Sequence, residues 1–366
     1  MERYLATLDH EQLLVRRGTR SGVFCIVAVH STARGPSLGG CRMWRYDDSR
    51  AAVRDALRLS RAITFKSAVA GLPLGGGKGV IMLRGELTAR QRKDALRDFG
   101  DTVDALKGAY VTAEDVGTSA RDMETIAAQT KHVSGLSRKR GGSGDPSPYT
   151  ALGVVTAITV SCERVFGSAS LKGRSVAVVG LGHVGARIAK LLAKAGAKLV
   201  VSDIDESKRA LASDLGARWT TPEKAMTAPV DVLAPCALGG ILDHESVPAL
   251  HCRVIAGAAN NQLADDGIAD LLNARDILWA PDFVANAGGI INIAVEFEKG
   301  GYDPAVGKQR VRGIGDTLQR VYDDAERMGA TPLTAAMELA RRNLEEAGGK
   351  VGAPARPADP IPAERY

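Results

Sequence analysis

Aromatic residues are scarce in this chain, at 4% of 366 residues, while Ala and Gly are plentiful. That composition argues against a β-sandwich and for helices packed closely on a sheet. Cysteine is equally uninformative as a scaffold. Cys25, Cys41, Cys162, Cys236 and Cys252 are odd in number and widely spaced, and no C-x-x-C occurs, so neither a disulfide framework nor a zinc site is expected, and no metal is assigned. No run approaches the roughly 20 apolar residues of a membrane span. The opening Met1-Glu2-Arg3-Tyr4 has no signal-peptide pattern. A cytoplasmic, reduced protein is the expectation. The formal net charge is +6, but Arg16, Arg17, Arg90, Arg92, Lys93, Arg138, Lys139, Arg140, Arg341 and Arg342 are scattered. Without a basic stripe or interleaved aromatics, neither nucleic acid nor membrane is an expected partner.

What is present suits a globular protein of two domains. Strands are expected near 13–15 and 23–29, a helix over 49–65, a short strand at 80–83 immediately after a glycine tract, a helix over 88–106 with Thr88 as N-cap, and a strand at 110–113. Gly35-Pro36 and Gly39-Gly40 break the pattern. Residues 135–148, GLSRKRGGSGDPSP, form the best domain boundary. A helix over 150–166 follows. Strands at 175–179, 198–202, 230–233, 253–256 and 277–280 then alternate with helical segments, the rhythm of a parallel sheet covered on both faces. Helices at 304–328 and 333–346 end the pattern. The fold class is therefore α/β. The boundary divides the chain into a first domain of residues 1–135 and a second that begins near residue 140 and carries the parallel sheet. The proline-rich tail, 348–366, is expected to lack order.

Two lysines carry the first chemical signal: Lys66, and Lys78 in Gly71-Leu72-Pro73-Leu74-Gly75-Gly76-Gly77-Lys78-Gly79. A phosphate loop needs Gly, four residues, Gly-Lys and then Ser or Thr. Here Leu72 occupies the first glycine position and Gly79 follows the lysine, so the tract reads as an active-site loop of another kind. Polyglycine neighbours give a surface lysine no structural support.

The second signal is a cofactor fingerprint. The apolar run Val176–Val179 leads into Gly180-Leu181-Gly182-His183-Val184-Gly185 and then a helical pattern, and Asp203 ends the next strand 23 residues after Gly180. Gly180 makes the tight turn, Gly182 admits the pyrophosphate and Gly185 allows close helix packing. Asp203 accepts from a ribose 2′-OH and repels a 2′-phosphate, which favours NAD over NADP. His183 reads as a tolerated position within the loop. A nicotinamide cofactor restricts the chemistry to hydride transfer, so the first 135 residues must supply substrate and acid–base groups. Lys66, Lys78 and Asp115 are the candidates.

With these residues assembled, the chain resembles the branched-chain and aromatic amino-acid dehydrogenases, a subgroup of the Glu/Leu/Phe/Val dehydrogenase family. The carriers are Gly35–Trp44, Lys66 with Leu72–Gly79, Ala113–Thr118, Gly144–Thr150, Ala234–Gly239, Ala258–Leu263 and Ala280–Gly289. The resemblance implies NAD-dependent, reversible oxidative deamination of an L-amino acid to a 2-oxo acid and ammonium, by a homo-oligomer. It also implies that residues 1–135, with 330–347 returning, make a substrate-binding and oligomerisation domain, that 140–329 make a Rossmann-type NAD-binding domain, and that the active site lies in the cleft between the two. Lys66 then holds the substrate α-carboxylate. Lys78 is the general base that activates water; burial and the second cation are expected to lower its pKa. Asp115 exchanges protons with the substrate nitrogen. Leu38, Ile63, Ala113, Ile290 and Ile293 make an apolar pocket, with Gly39, Gly40 and Asn261 also at the substrate. Thr150, Ile204, Ala237, Asn260 and Asn286 join Gly180, Leu181, Gly182, His183, Val184, Gly185 and Asp203 around the cofactor. Leu38 stands near where related glutamate dehydrogenases place a lysine, which implies rejection of glutamate. Leucine, valine or isoleucine is favoured and the chain looks most like leucine dehydrogenases. Phenylalanine stays open on Phe283–Ala287, and a non-catalytic dinucleotide-binding regulator is the remote alternative. Val295 departs from the pattern, because relatives often carry an acid there, and Glu296 reads as a surface or interdomain residue.

Overall fold

A computed structural model describes residues 9–348. The tail expected to lack order lies outside the described residues, Gly348 apart. The chain forms two compact units. Among the described residues, unit 1 holds 9–145, Ile293–Pro304 and 340–348; unit 2 holds Pro146–Asn292 and Ala305–Leu339. This differs from the division at 135/140 and 329/330 expected from sequence. Ile293–Pro304 belongs with unit 1 because the Glu296 carboxylate accepts from the backbone N–H of Ser143 at 2.7 Å and of Gly135 at 3.1 Å. The chain from Ala340 belongs there because Asn343 donates to the Ala68 carbonyl at 2.8 Å and its own carbonyl accepts from Arg34. Glu296 is thus a latch within unit 1. Val295 is fully buried, so an apolar side chain suits the place where relatives often carry an acid.

Unit 1 is built on five strands: β1 Gln12–Arg17, β2 Phe24–Ser31, β3 Ser37–Arg45, β4 Gly75–Leu83 and β5 Tyr110–Glu114, in the order β1-β2-β4-β3-β5. The pairs β1/β2 and β2/β4 are antiparallel, while β3/β4 and β3/β5 are parallel. Helix Ser49–Val69 covers one face, where Ala52, Ala56 and Leu57 pack with Ile26, Ala28, Val80 and Met82. Helix Ala89–Asp104 covers the other, where Leu96, Phe99 and Val103 pack with Cys25, Val27, Cys41, Ile81 and Tyr110. Thr88 caps that helix in a reciprocal capping box with Gln91.

The glycine tract is where the structure corrects the sequence reading. Gly75–Gly79 is not a loop. It is the first half of buried strand β4, and Gly39-Gly40, read as breakers, lie inside β3. Glycine is poor strand material in isolation, but here it lets a helix backbone touch the sheet. A Cβ at Gly76 would lie 2.2 Å from the Thr64 nitrogen and 2.4 Å from the Ser60 carbonyl oxygen. Both atoms are backbone of helix Ser49–Val69, which cannot give way as a flexible side chain would. Gly76→Ala is expected to destabilise unit 1 by about 2–3 kcal/mol, the cost of overpacking at a site that cannot relax. Urea unfolding checks this; an unchanged midpoint would mean that the helix is free to retreat.

Unit 2 contains β6 Ser175–Val179, β7 Lys198–Ser202, β8 Arg218–Trp219, β9 Val232–Pro235, β10 Val254–Ile255 and β11 Leu278–Trp279. All pairs are parallel, in the order β11-β10-β9-β6-β7-β8. This is the doubly wound dinucleotide order, with its switch point between β6 and β9. Strand β8 was not read from the sequence, being only two residues long. The expected helix over 304–328 is two helices, Pro304–Arg312 and Ile314–Met328, broken at Gly313. Among the described residues no helix is long and apolar enough to cross a membrane.

Candidate active site

Strand alternation sorts the site residues of unit 1. Gly77, Gly79, Tyr110 and Cys41 face helix Ala89–Asp104, as the contacts of Phe99 and Tyr110 with the glycines show. Residues one step along each strand therefore face helix Ser49–Val69: Lys78 on β4, Leu38, Gly40 and Arg42 on β3, and Ala113 on β5. Lys66 and Ile63 are carried by that helix, both partly buried. Leu38 and Ala113 are buried, and Gly40 pairs with Ala113 across β3/β5. Gly39 points away from this face and gives its carbonyl to the Tyr110 hydroxyl at 2.6 Å, a contact that holds the sheet.

Lys78 is 4% exposed, and its Nζ donates to Asp115 Oδ2 at 2.6 Å. The same oxygen accepts from Arg42 Nε at 3.1 Å. Burial opposes ionisation of Asp115, but Lys78 and Arg42 outweigh it and bring the carboxyl down to about 2. The carboxylate is fixed from behind by a tight turn: Thr118 Oγ1 accepts from the Asp115 N–H and donates to the Cys41 carbonyl. Arg42 lies within the Gly35–Trp44 block with no role evident from sequence, and the structure supplies one. Its other arm reaches Asp55 at 3.0 Å, which also accepts from Tyr46 and Arg58. Burial opposes the charge on Arg42, yet Asp115 and Asp55 outweigh it and raise its pKa further. Sequence could have flagged Arg42 only through its placement in the Gly35–Trp44 block, because Asp115 lies 73 residues away.

In unit 2 the fingerprint loop takes the expected shape. Gly180 has φ +103°, a conformation that favours glycine, and sits against Ala237 at the end of β9. Among the described residues no protein acceptor takes the N–H groups of Gly182, His183 and Val184. They precede helix Gly185–Lys194, and a Cβ at Gly182 would meet open space. Unpaired donors at a helix start, in front of a vacant approach, suit a pyrophosphate. The N–H of Leu181 is not one of them. It donates to Asp203 Oδ2 at 2.6 Å, and the Leu181 side chain is buried, so Leu181 shapes the loop. Asp203 keeps lone pairs for a ribose hydroxyl, and beside it Ile204 is 91% exposed, an apolar surface fit for an adenine ring.

Asn286 is buried; its amide donates to Asn260 Oδ1 at 2.9 Å and to the Ala258 carbonyl at 3.2 Å, while its own Oδ1 has no partner. A buried carbonyl oxygen with no donor is what a carboxamide N–H would satisfy. Gln262 and Asp282 hold this corner: the Gln262 N–H donates to Asp282 at 2.7 Å, and its side chain joins the Gly257 carbonyl to Trp279. Both lie in quoted motif blocks, yet no role was read for them. Asn261 takes φ +52°. Thr150 stands in the first turn of helix Ser147–Phe166, against Gly289. Ile290 belongs to unit 2 and Ile293 to unit 1.

Comparison with known proteins decides the family. The Glu/Leu/Phe/Val dehydrogenase dimerisation-domain model matches residues 11–132 and the Glutamate/Leucine/Phenylalanine/Valine dehydrogenase model matches 201–352. Leucine dehydrogenase of Thermoactinomyces intermedius is 41% identical over 93% of each chain. The chain belongs to the Glu/Leu/Phe/Val dehydrogenase family. Valine dehydrogenase of Streptomyces virginiae is also 41% identical, over 92% of this chain and 94% of its own. The crystal structure of L-tryptophan dehydrogenase from Nostoc punctiforme superposes with a TM-score of 0.81 at 37% identity, covering 95% of this dehydrogenase and 99% of that chain. Residues 158–237 match the NAD-binding domain model of D-isomer-specific 2-hydroxyacid dehydrogenases. The family, the two-domain α/β fold and the cofactor expected from sequence are thereby borne out: the protein is an amino-acid dehydrogenase that uses NAD, and the residues of unit 2 fit it.

Proposed function

We propose that this dehydrogenase carries out the reversible oxidative deamination of branched-chain L-amino acids, with leucine, valine and isoleucine preferred. The observation that carries this reading is the buried Lys78–Asp115–Arg42 cluster on a sheet face whose neighbouring side chains, Leu38 and Ala113, are apolar. NAD, which the loop Gly180–Gly185, Asp203 and Asn286 would hold, would supply the hydride acceptor for the substrate α-carbon. Lys66 pairs with the α-carboxylate. Asp115 has both recorded bonds on Oδ2, and its Oδ1 takes up the substrate nitrogen and its proton. Lys78 removes a proton from water as the oxygen attacks the imine carbon, and returns a proton to the departing ammonia. The balance is amino acid, NAD and water to 2-oxo acid, ammonium, NADH and one proton.

The substrate side chain is tested directly by NADH formation with leucine, valine, isoleucine, phenylalanine, tryptophan and glutamate. A glutamate γ-carboxylate beside Leu38 would be buried without a partner, a cost of several kcal/mol. Its kcat/KM is expected to fall about a hundredfold or more below that of leucine. Glutamate as best substrate would overturn the pocket. Phenylalanine or tryptophan as best substrate would keep the chemistry and reassign the pocket, the outcome that the tryptophan dehydrogenase relative favours.

The enzyme is further proposed to work as a homo-oligomer through unit 1. Edge strand β1 exposes Leu13 and Val15, and an uncovered apolar edge is suited to pairing with a second copy. The dimerisation-domain match over 11–132 supports this.

A further inference from the structure

Away from the site just described, Asp9, His10 and His30 bring one ligand atom each to within 4.8 Å of one another. Both rings are buried, at 6% side-chain exposure. The outer hydrogen bonds of the rings fix their tautomers. His10 Nε2 lies 3.0 Å from both the Leu57 carbonyl, which can only accept, and Ser60 Oγ, whose own proton goes to that same carbonyl at 2.9 Å, so Nε2 carries the proton. His30 Nδ1 lies 2.8 Å from Thr64 Oγ1, whose own proton goes to the Ser60 carbonyl, so Nδ1 donates there. The lone pairs of His10 Nδ1 and His30 Nε2 are left facing the Asp9 carboxylate, at 3.4 and 3.2 Å, and neither nitrogen has a hydrogen-bond partner. Two lone pairs aimed at an anion repel it, so either both rings take up a second proton or a cation lies among the three groups, and two charged rings buried together beside Arg61 are costly. A proton shared between Asp9 and one ring relieves one edge and leaves the other.

We infer that Asp9, His10 and His30 form a site for a zinc-class divalent ion. Ligand bonds of 2.0–2.1 Å in tetrahedral geometry place donor atoms about 3.3 Å apart, and each ring already stands near that spacing from one Asp9 oxygen, His10 Nδ1 from Oδ1 at 3.4 Å and His30 Nε2 from Oδ2 at 3.2 Å. Two imidazoles and a carboxylate suit zinc, cobalt or nickel rather than magnesium or calcium. The backbone carbonyl on His10 is the outer partner that commonly orients a metal-bound imidazole. Arg61 Nε, 3.3 Å from Asp9 Oδ2, holds the carboxylate in place from the other side and reduces its charge, so affinity rests mainly on the two rings. The fourth position is left to water. Cysteine spacing gave no hint of this site, because its ligands are histidine and aspartate from two separate segments.

The test uses the full-length, tag-free protein, stripped with chelator and titrated with Zn²⁺ or Co²⁺ alone. The expected result is one equivalent bound per chain, a raised thermal midpoint, and a cobalt visible spectrum of low-symmetry, four-coordinate type. His10→Gln should abolish all three while leaving deamination unchanged, since His10 takes no part in the chemistry. Asp9→Asn, at a more exposed position, provides the same readout should the histidine variant fold poorly. Absence of binding overturns the site, as does a bound equivalent that survives both substitutions, which would locate the ion at surface histidines.

Discussion

Replacing Lys78 by alanine is expected to lower kcat for deamination by about 10⁴, the upper range for loss of a general base, while NAD still binds with near-normal affinity. The two halves of that expectation have different origins. Lys78 lies on the β4 strand of unit 1, whereas the unpaired N–H groups of the fingerprint loop and the orphan oxygen of Asn286 are in unit 2. The substitution leaves those cofactor-facing groups of unit 2 unchanged. A merely structural lysine predicts another pattern: a fall in thermal midpoint, with activity lost only in proportion to unfolded protein. Lys78→Arg separates the two further. It keeps a cation for Asp115 and restores stability, but a guanidinium does not give up its proton, so turnover stays low. Near-normal deamination by Lys78→Ala would sink the assignment of the base.

The sequence made the cofactor site legible and the acid–base site only half so, for a physical reason. A dinucleotide loop is local. The turn at Gly180, the helix start at Gly185 and the acid at Asp203 lie within one strand–helix–strand unit, so spacing alone carries the inference. The catalytic face of unit 1 is not local. Lys78 was visible because a lysine among glycines is odd, but the role of those glycines was misread. From sequence the tract reads as an active-site loop, whereas Gly76 lets a helix backbone rest against a strand, a tertiary contact with no sequence period. Arg42 stayed unassigned because its partners Asp115 and Asp55 come from other elements. Glu296 was read as a surface or interdomain residue, and its bonds to Ser143 and Gly135 depend on a chain segment returning to unit 1 after unit 2.

Asp115→Asn is expected to weaken both activity and fold, and pH separates the causes. The carboxylate is the shared partner of a buried lysine and a mostly buried arginine. Its amide isostere keeps the shape and removes the charge, which leaves buried Lys78 without its anion and Arg42 with Asp55 alone. Breaking such a pair costs about 3 kcal/mol or more, and kcat should fall about a thousandfold with the loss of the proton acceptor for the substrate nitrogen. The folded carboxyl titrates at about 2 against an ordinary 3.8, so the fold binds the ionised form more tightly by roughly 2 kcal/mol. That contribution is fully present above about pH 4, where the unfolded carboxyl is also ionised, and it is lost as pH falls towards 2. The stability gap between wild type and Asp115→Asn, measured by urea unfolding, should thus stay constant from pH 7 down to about 5 and narrow below 4. A gap that widens in acid would mean that Asp115 is protonated in the fold, and the ion-paired cluster could not then be the resting state of the site.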